Sequence, residues 1–335
     1  MNAMQAVSMN VHVESLPLKS PFRISGYTFT DVEVVVVTLT SNGLQGRGEA
    51  SGVYYLDDKP AGMVVTLEQH RQAIEAGISR EELLKLMPPG GARNALDCAL
   101  WELESKRAGK PVWQLAGLSR AVPKITTFTL GADDPATMAA GARAVADAKS
   151  LKLKLSGEID VDAERVRAVR AARPDVWMGV DANQGFTLDS LTTLMPVLVQ
   201  AKVQLVEQPL KRGKEAELTG YRSPIILAAD ESVQGVDEME QLAGRFDVVN
   251  IKLDKCGGLT EALAMVKRAG QMGLKVMVGN MVGTSLSTAP GFIVAQWCDF
   301  VDLDGPTFLA ADSTPSVVYR DGEIWCPEQV WGATA

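Results

Sequence analysis

The chain has 335 residues, a formal net charge of −8, 46% hydrophobic and 22% charged residues, a composition that supports a large folded core and excludes extended disorder. The acidic balance and the absence of any long Lys/Arg run leave no electrostatic footprint for a nucleic-acid partner or an anionic membrane. No apolar run is long enough to span a bilayer, and MNAMQAVSMNVHVE lacks the basic start and apolar stretch of a signal peptide, so the expected compartment is cytoplasmic.

Residues 1–120 read as an α+β unit. VEVVVVTLTSNGLQGRGEA predicts two antiparallel strands around Ser41, Asn42 and Gly43. ARNALDCALWELESKRAG predicts a helix that stops at Gly109, with Pro111 beyond. GRGEASG, at Gly46 to Gly52, has the wrong spacing for a dinucleotide-binding fingerprint.

Over residues 121–305, eight apolar runs alternate with helix-like stretches: ITTFTL, LKLKL, WMGVDA, QLVEQ, IILAAD, DVVNIKL, KVMVG and FVDLD. Their centres recur every 22 to 27 residues, the length of one strand, one helix and two loops. Eight parallel strands joined by right-handed crossovers can close into an α/β barrel of the TIM type, with an open doubly wound sheet as the competitor. The segment after Pro306 is too short to fold alone. It is expected to pack back on the first unit, which makes 1–120 with 306–335 one discontinuous domain beside the barrel of 121–305.

In a parallel barrel the strand C-termini open on one face. Asp181, Glu207 and Asp230 end three consecutive predicted strands, 26 and 23 residues apart. Capping of the following helix explains any one of them, but explains three in succession poorly. Three carboxylates without His or Cys form a hard-oxygen site suited to Mg²⁺, with Mn²⁺ as the alternative. Cys98, Cys256, Cys298 and Cys326 are scattered without a CxxC pair, and both histidines, His12 and His70, fall early, so neither zinc nor a histidine base is expected.

Lys152 and Lys154 in LKLKL share one face of a strand, and Lys252 lies on the strand opposite in a closed barrel. Neutralising a lysine at pH 7 costs about 4.6 kcal/mol from its ordinary pKa. A second ammonium about 4 Å away offsets roughly 4 kcal/mol of this at an effective dielectric of 20, so the pairing is expected to depress a lysine pKa. Asp302 and Asp304, two apart on the last predicted strand, suit a substrate cation, although hydrogen bonding to the following turn is the plain alternative.

These stretches together, with ARNALDCALWELESKRAGKP, VDAN, VEQPL, AADES, NIKLDKCGGLTEAL and VDLDGPT, resemble the enolase superfamily in its muconate-lactonising branch, and within it the dipeptide epimerases of the L-Ala-D/L-Glu type. The resemblance implies an α+β capping domain over a (β/α)₇β barrel. It implies Mg²⁺ on Asp181, Glu207 and Asp230, acid/base roles for Lys154 and Lys252, and a supporting role for Lys152. It further implies a dipeptide substrate epimerised through an enediolate, with its free ammonium held by Asp302 and Asp304. A homo-oligomer is a family-level expectation. N-acyl amino acid racemase, succinylbenzoate synthase and muconate cycloisomerase use the same scaffold, and a non-catalytic peptide-binding protein is a reading of another class.

Relatives acting on Ala-Glu carry a basic residue in the loop after the first Pro-Phe, where this chain reads ISGYTFTD with Phe29 at the corresponding place and Arg23 just before it. Phe29 and Arg23 are therefore the candidate contacts to the second residue of the dipeptide. Tyr27 and Phe29 favour an apolar or aromatic side chain there.

Overall fold

The computed structural model describes residues 6–24 and 26–334. Ser25 of the ISGYTFTD loop and the first five residues of the N-terminal stretch lie outside them.

The chain opens with an antiparallel sheet of β1 (Ser8–Ile24), β2 (Tyr27–Ser41) and β3 (Leu44–Ala50) in the order β1-β2-β3. Asn42 and Gly43 both take positive φ, 49° and 78°, in the two-residue connection between β2 and β3, and Ser41 pairs with Leu44. That turn is the one expected from the sequence. The long partner strand β1 was not: its alternation is interrupted by Pro17 and Pro21, and the β1/β2 register shifts between Pro17 and Phe22.

Helices α1 (Pro60–Gln69), α2 (Arg71–Glu75), α3 (Arg80–Leu86), α4 (Gly91–Ala108) and α5 (Val112–Leu115) follow. α4 ends at Gly109 in the left-handed conformation, as its sequence predicts. It is buried almost all round, lying between the sheet and the barrel. The glycines of GRGEASG explain how it gets so close. A Cβ on Gly46 would sit 2.1 Å from the carbonyl oxygen of Ala99, and one on Gly48 2.0 Å from that of Ala95. Overpacking of this kind costs about 1–3 kcal/mol.

The second unit contains β4 (Lys124–Ile125), β5 (Thr127–Leu130), β6 (Ser150–Lys154), β7 (Trp177–Asp181), β8 (Leu205–Glu207), β9 (Ile226–Ala229), β10 (Val248–Lys252), β11 (Lys275–Gly279) and β12 (Phe300–Asp302). Strands β5 to β12 form one parallel sheet in sequence order, corresponding to the eight predicted runs. Helices α6 (Pro135–Ala144), α7 (Ile159–Ala172), α8 (Leu188–Gln200), α9 (Leu253–Cys256), α10 (Leu259–Met272) and α11 (Ser285–Ala295) lie in the crossovers. The sheet curls so that its ends meet through side chains: Leu303 N donates to Thr126 Oγ1 at 3.0 Å and Thr129 N to Asp304 Oδ2 at 2.6 Å. Outward residues of the strands pack against the helices, while Leu205, Ala228, Val248 and Met277 plug the interior below the strand C-termini.

The C-terminal segment adds β13 (Val318–Arg320) and β14 (Glu323–Trp325), which pair with each other, β14 also pairing with β4. It then returns to the first unit, where Trp331 Nε1 donates to the carbonyl of Arg47 at 3.0 Å and Gly332 N to Glu102 Oε1 at 3.1 Å. Among the described residues no helix is long and apolar enough to cross a membrane.

Candidate active site

Alternation along β6 turns Leu151 and Leu153 outward into the core and Lys152 and Lys154 into the barrel. Parallel register then sets Lys154 beside Asp181, and Asp181 beside Glu207 on the next strand. Asp230 follows β9 directly, and Lys252 ends β10. Asp181 and Glu207 are 0% exposed and Asp230 1%, which rules out solvated strand-end acids. One ligand oxygen from each lies within 4.8 Å of the other two.

A lysine flanks the trio on either side. Lys154 Nζ lies 2.6 Å from Asp181 Oδ2, and Lys252 Nζ lies 2.6 Å from Asp230 Oδ2. Lys152 Nζ reaches Glu207 Oε2 at 3.1 Å and also contacts Asp302. The donor set suits a hydrated divalent cation. Two further buried oxygens agree with that fit: Asn183 Oδ1 and Glu231 Oε2 have no hydrogen-bond donor among the described residues. Water ligands of a cation would provide such donors.

Burial opposes the charge on Lys152, but Asp302, Glu207 and Asp181 outweigh it and raise its pKa. Lys252 is raised in the same way, burial being outweighed by Asp230 and Glu207. Spacing showed the like-charged neighbour but not how closely each amine faces a carboxylate. Conversely, burial is overcome at Asp230, where Lys252 and Lys255 hold the carboxyl well below its usual range. Glu231 is pushed up to about 8 by burial, then by the charges of Asp230 and Asp181.

Above these groups lies a cavity of about 340 Å³, of the size that holds small ligands. Lys152, Lys154, Asp230, Lys252, Asp302 and Asp304 face it from the barrel. Asp304 is pushed up to about 7 by burial and by the charge of Asp302. From the N-terminal unit come Phe22, Ile24, Phe29, Tyr54 and Tyr55. Phe29 and Tyr54 meet with ring centroids 5.4 Å apart, and Tyr54 and Tyr55 at 5.3 Å. Tyr27 does not line the cavity but backs Tyr54 at 4.6 Å.

Arg23, expected at the substrate, is not part of the lining, and its guanidinium is engaged by Asp133 Oδ1 at 2.7 Å. The hairpin explains this: Phe22 and Ile24 face the cavity, so the residue between them faces away.

Several site residues escaped the sequence reading. Lys255 Nζ donates to Asp230 Oδ1 at 2.7 Å and to the carbonyl of Asn250 at 3.0 Å, and Asn250 Nδ2 donates to Glu207 Oε1 at 2.6 Å. Asn183 N donates to Asp181 Oδ1 at 2.8 Å. Each sits within three residues of a predicted site residue, in NIKLDK or VDAN, and that adjacency was the available signal.

Residues 6–117 match the mandelate racemase/muconate lactonizing enzyme N-terminal domain, and residues 137–330 the enolase C-terminal domain-like family. An L-Ala-D/L-Glu epimerase of Escherichia coli is 37% identical over 95% of this chain and 99% of its own length. An N-acetyl-D-glutamate racemase of Pseudoalteromonas is 39% identical over 75% of this chain and 79% of its own. A dipeptide epimerase of Enterococcus faecalis, solved with Mg and the dipeptide L-Leu-L-Tyr, superposes with a TM-score of 0.88 at 30% identity, covering 94% of this chain and 95% of the other. Matched in both domains and along nearly its whole length, the chain belongs to the mandelate racemase/muconate lactonizing enzyme branch of the enolase superfamily.

Proposed function

We propose that this protein is a dipeptide epimerase, an isomerase that inverts the α-carbon of the dipeptide's C-terminal residue by moving a proton between two lysines. The observation that carries this reading is the placement of Lys154 and Lys252 on the two flanks of one buried carboxylate trio. The Escherichia coli and Enterococcus faecalis relatives support the substrate class.

In this reading Asp181, Glu207 and Asp230 hold Mg²⁺, which the Enterococcus faecalis structure also contains. Bound there, the cation would supply Lewis-acid charge to a substrate carboxylate and offset the negative charge of the carboxylates around the lysines. Lys152, fixed between Glu207 and Asp302, donates to the substrate carboxylate and stabilises negative charge as it develops. One flanking lysine, neutral, removes the α-proton. The opposite one, as ammonium, delivers a proton to the other face. Two bases are needed because a single base returning the proton from its own side regenerates the starting stereoisomer.

Asp302 and Asp304 hold the free ammonium of the dipeptide. Phe29, Tyr54 and Tyr55 form an aromatic face that favours an apolar or aromatic second residue, and the acidic Asp31, Glu33 and Asp58 outnumber Lys59 among the charged cap residues of the lining, which disfavours glutamate. We assign residues 1–120 with 306–335 to the cap and 121–305 to the barrel, and expect a cytoplasmic homo-oligomer, testable by light scattering on the purified protein.

Incubation with Mg²⁺ and a library of L,L-dipeptides in D₂O tests the reaction. Deuterium at the C-terminal α-carbon together with epimerisation is expected, strongest for apolar second residues. The Pseudoalteromonas relative favours a second reading, racemisation of an N-acyl amino acid. Such a substrate has no ammonium, so replacing Asp302 and Asp304 together by Asn is expected to abolish turnover of dipeptides, while Asp304→Asn alone, which leaves the Asp302 partner of Lys152 in place, lowers turnover of dipeptides but spares that of N-acyl amino acids.

A further inference from the structure

Two buried carboxylates outside the reacting centre join the cap to the barrel beside the cavity. Glu49, at the end of β3, accepts from the backbone N–H of Thr284 at 2.7 Å and from its hydroxyl, at the start of α11. Asp254, in α9 two residues beyond Lys252, reaches the other way. Its Oδ1 accepts from the backbone N–H groups of both Ser51 and Gly52 at 3.0 Å. The bonds run in opposite senses, cap acid to barrel backbone and barrel acid to cap backbone, only two residues apart along the cap chain.

The segment they grip leads straight into Tyr54 and Tyr55. Its far end is tied down as well, since Asp58 Oδ2 accepts from Gly91 N at 2.7 Å. Between the ties the loop closes on itself, with Leu56 N and Asp58 N both donating to the carbonyl of Val53. A loop so held presents its rings in one place, and fixed placement of contact groups is what turns a cavity wall into a selective one.

We propose that Glu49 and Asp254 are positioning residues, a two-point clasp that fixes the Tyr54–Tyr55 loop over the barrel mouth and thereby sets affinity for the side chain of the substrate's second residue. The proposal deepens the dipeptide reading and rests on it. It assigns neither carboxylate a part in proton transfer.

The test compares full-length wild type with Asp254→Ala, Asp254→Asn, Glu49→Ala and Glu49→Gln. KM and kcat are measured on a dipeptide with an aromatic second residue, and amide hydrogen exchange is followed over residues 49–58 without substrate. Asn at 254 keeps the one oxygen that accepts there, Gln at 49 keeps an oxygen for the Thr284 N–H and offers its amide as donor to the Thr284 hydroxyl, and Ala removes both. Both Ala variants are expected to raise KM about 10-fold with kcat within about 3-fold, and both amide variants to stay within about 2-fold of wild type. Exchange over 49–58 should quicken in the Ala variants alone. A fall in kcat at unchanged KM in Asp254→Ala would mean that this residue acts through Lys252, and would overturn the clasp. Unchanged exchange in both Ala variants would also overturn it. If Asp254→Ala does not fold, Glu49→Ala, remote in sequence from Lys252, carries the same comparison. If wild type turns over no dipeptide, the functional reading fails while the exchange arm still decides the clasp.

Discussion

The floor and the wall of the cavity are built by different rules. On the floor, each charged group is placed by strand register and answered from a nearby strand: Lys154 by Asp181 and Lys252 by Asp230 on the adjacent strand, Lys152 by Glu207 two strands away. The wall is faced by rings from the start of β2 and the loop after β3, which touch one another, while the charged Asp31, Glu33, Asp58 and Lys59 of the same unit line its rim. Chemistry set by register tolerates little change, whereas a wall on loops can be rewritten without disturbing the scaffold. Variants of the floor and of the wall should therefore give different kinds of loss.

The largest effects belong to the floor. Lys154→Ala and Lys252→Ala should each lower epimerisation by about 10³-fold or more. Each should also leave α-proton exchange in D₂O from one epimer only, the opposite one in the two variants, as followed by NMR. Equal exchange from both epimers in either variant would break the two-sided arrangement. Next comes the metal: removal by EDTA should abolish exchange, and Asn183→Leu should weaken Mg²⁺ binding about 10–100-fold by calorimetry, through the outer oxygens alone.

The wall should respond in kind rather than in degree. Phe29→Arg places a guanidinium where the cavity now offers a ring, and should move the preference between Ala-Phe and Ala-Glu type dipeptides about 10–100-fold toward glutamate, with kcat for the better substrate little changed. A collapse of kcat on every dipeptide would show that floor and wall are not separable.

How much of this could be read from the sequence follows the same division. Period-two spacing in LKLKL and recurrence at strand ends located the floor, because a parallel barrel converts sequence interval directly into position. The same rule applied one strand pair earlier would have excluded Arg23, but the β1/β2 register shifts between Pro17 and Phe22, and only the folded hairpin shows that Phe22 pairs with Phe29. Tyr54 and Tyr55 gave no signal because a short loop has no period. Their position depends on Asp254, some two hundred residues away. The raised pKa of Lys152 was also out of reach, since it depends on distances to carboxylates rather than on the spacing of the amines.

The smallest expected effect concerns the seam between floor and wall. Burial pushes Glu49 and Asp254 both up to about 7, against ordinary values near ~4. Between those limits the folded protein keeps protons that the unfolded chain has released, so these groups stabilise most at low pH and lose that contribution as pH rises through about 4 to 7. Asp230, held low by Lys252 and Lys255, has the opposite sign, but its contribution is lost only as pH falls below the ordinary carboxylate range, outside that window. Thermal melts of wild type should therefore slope downward from pH 5 to 7 more steeply than those of Glu49→Gln, by a few degrees at about 2–4 °C per kcal/mol. Parallel slopes would mean that the seam carries a settled ionic charge like the floor, and that the wall is held as rigidly as the chemistry beneath it.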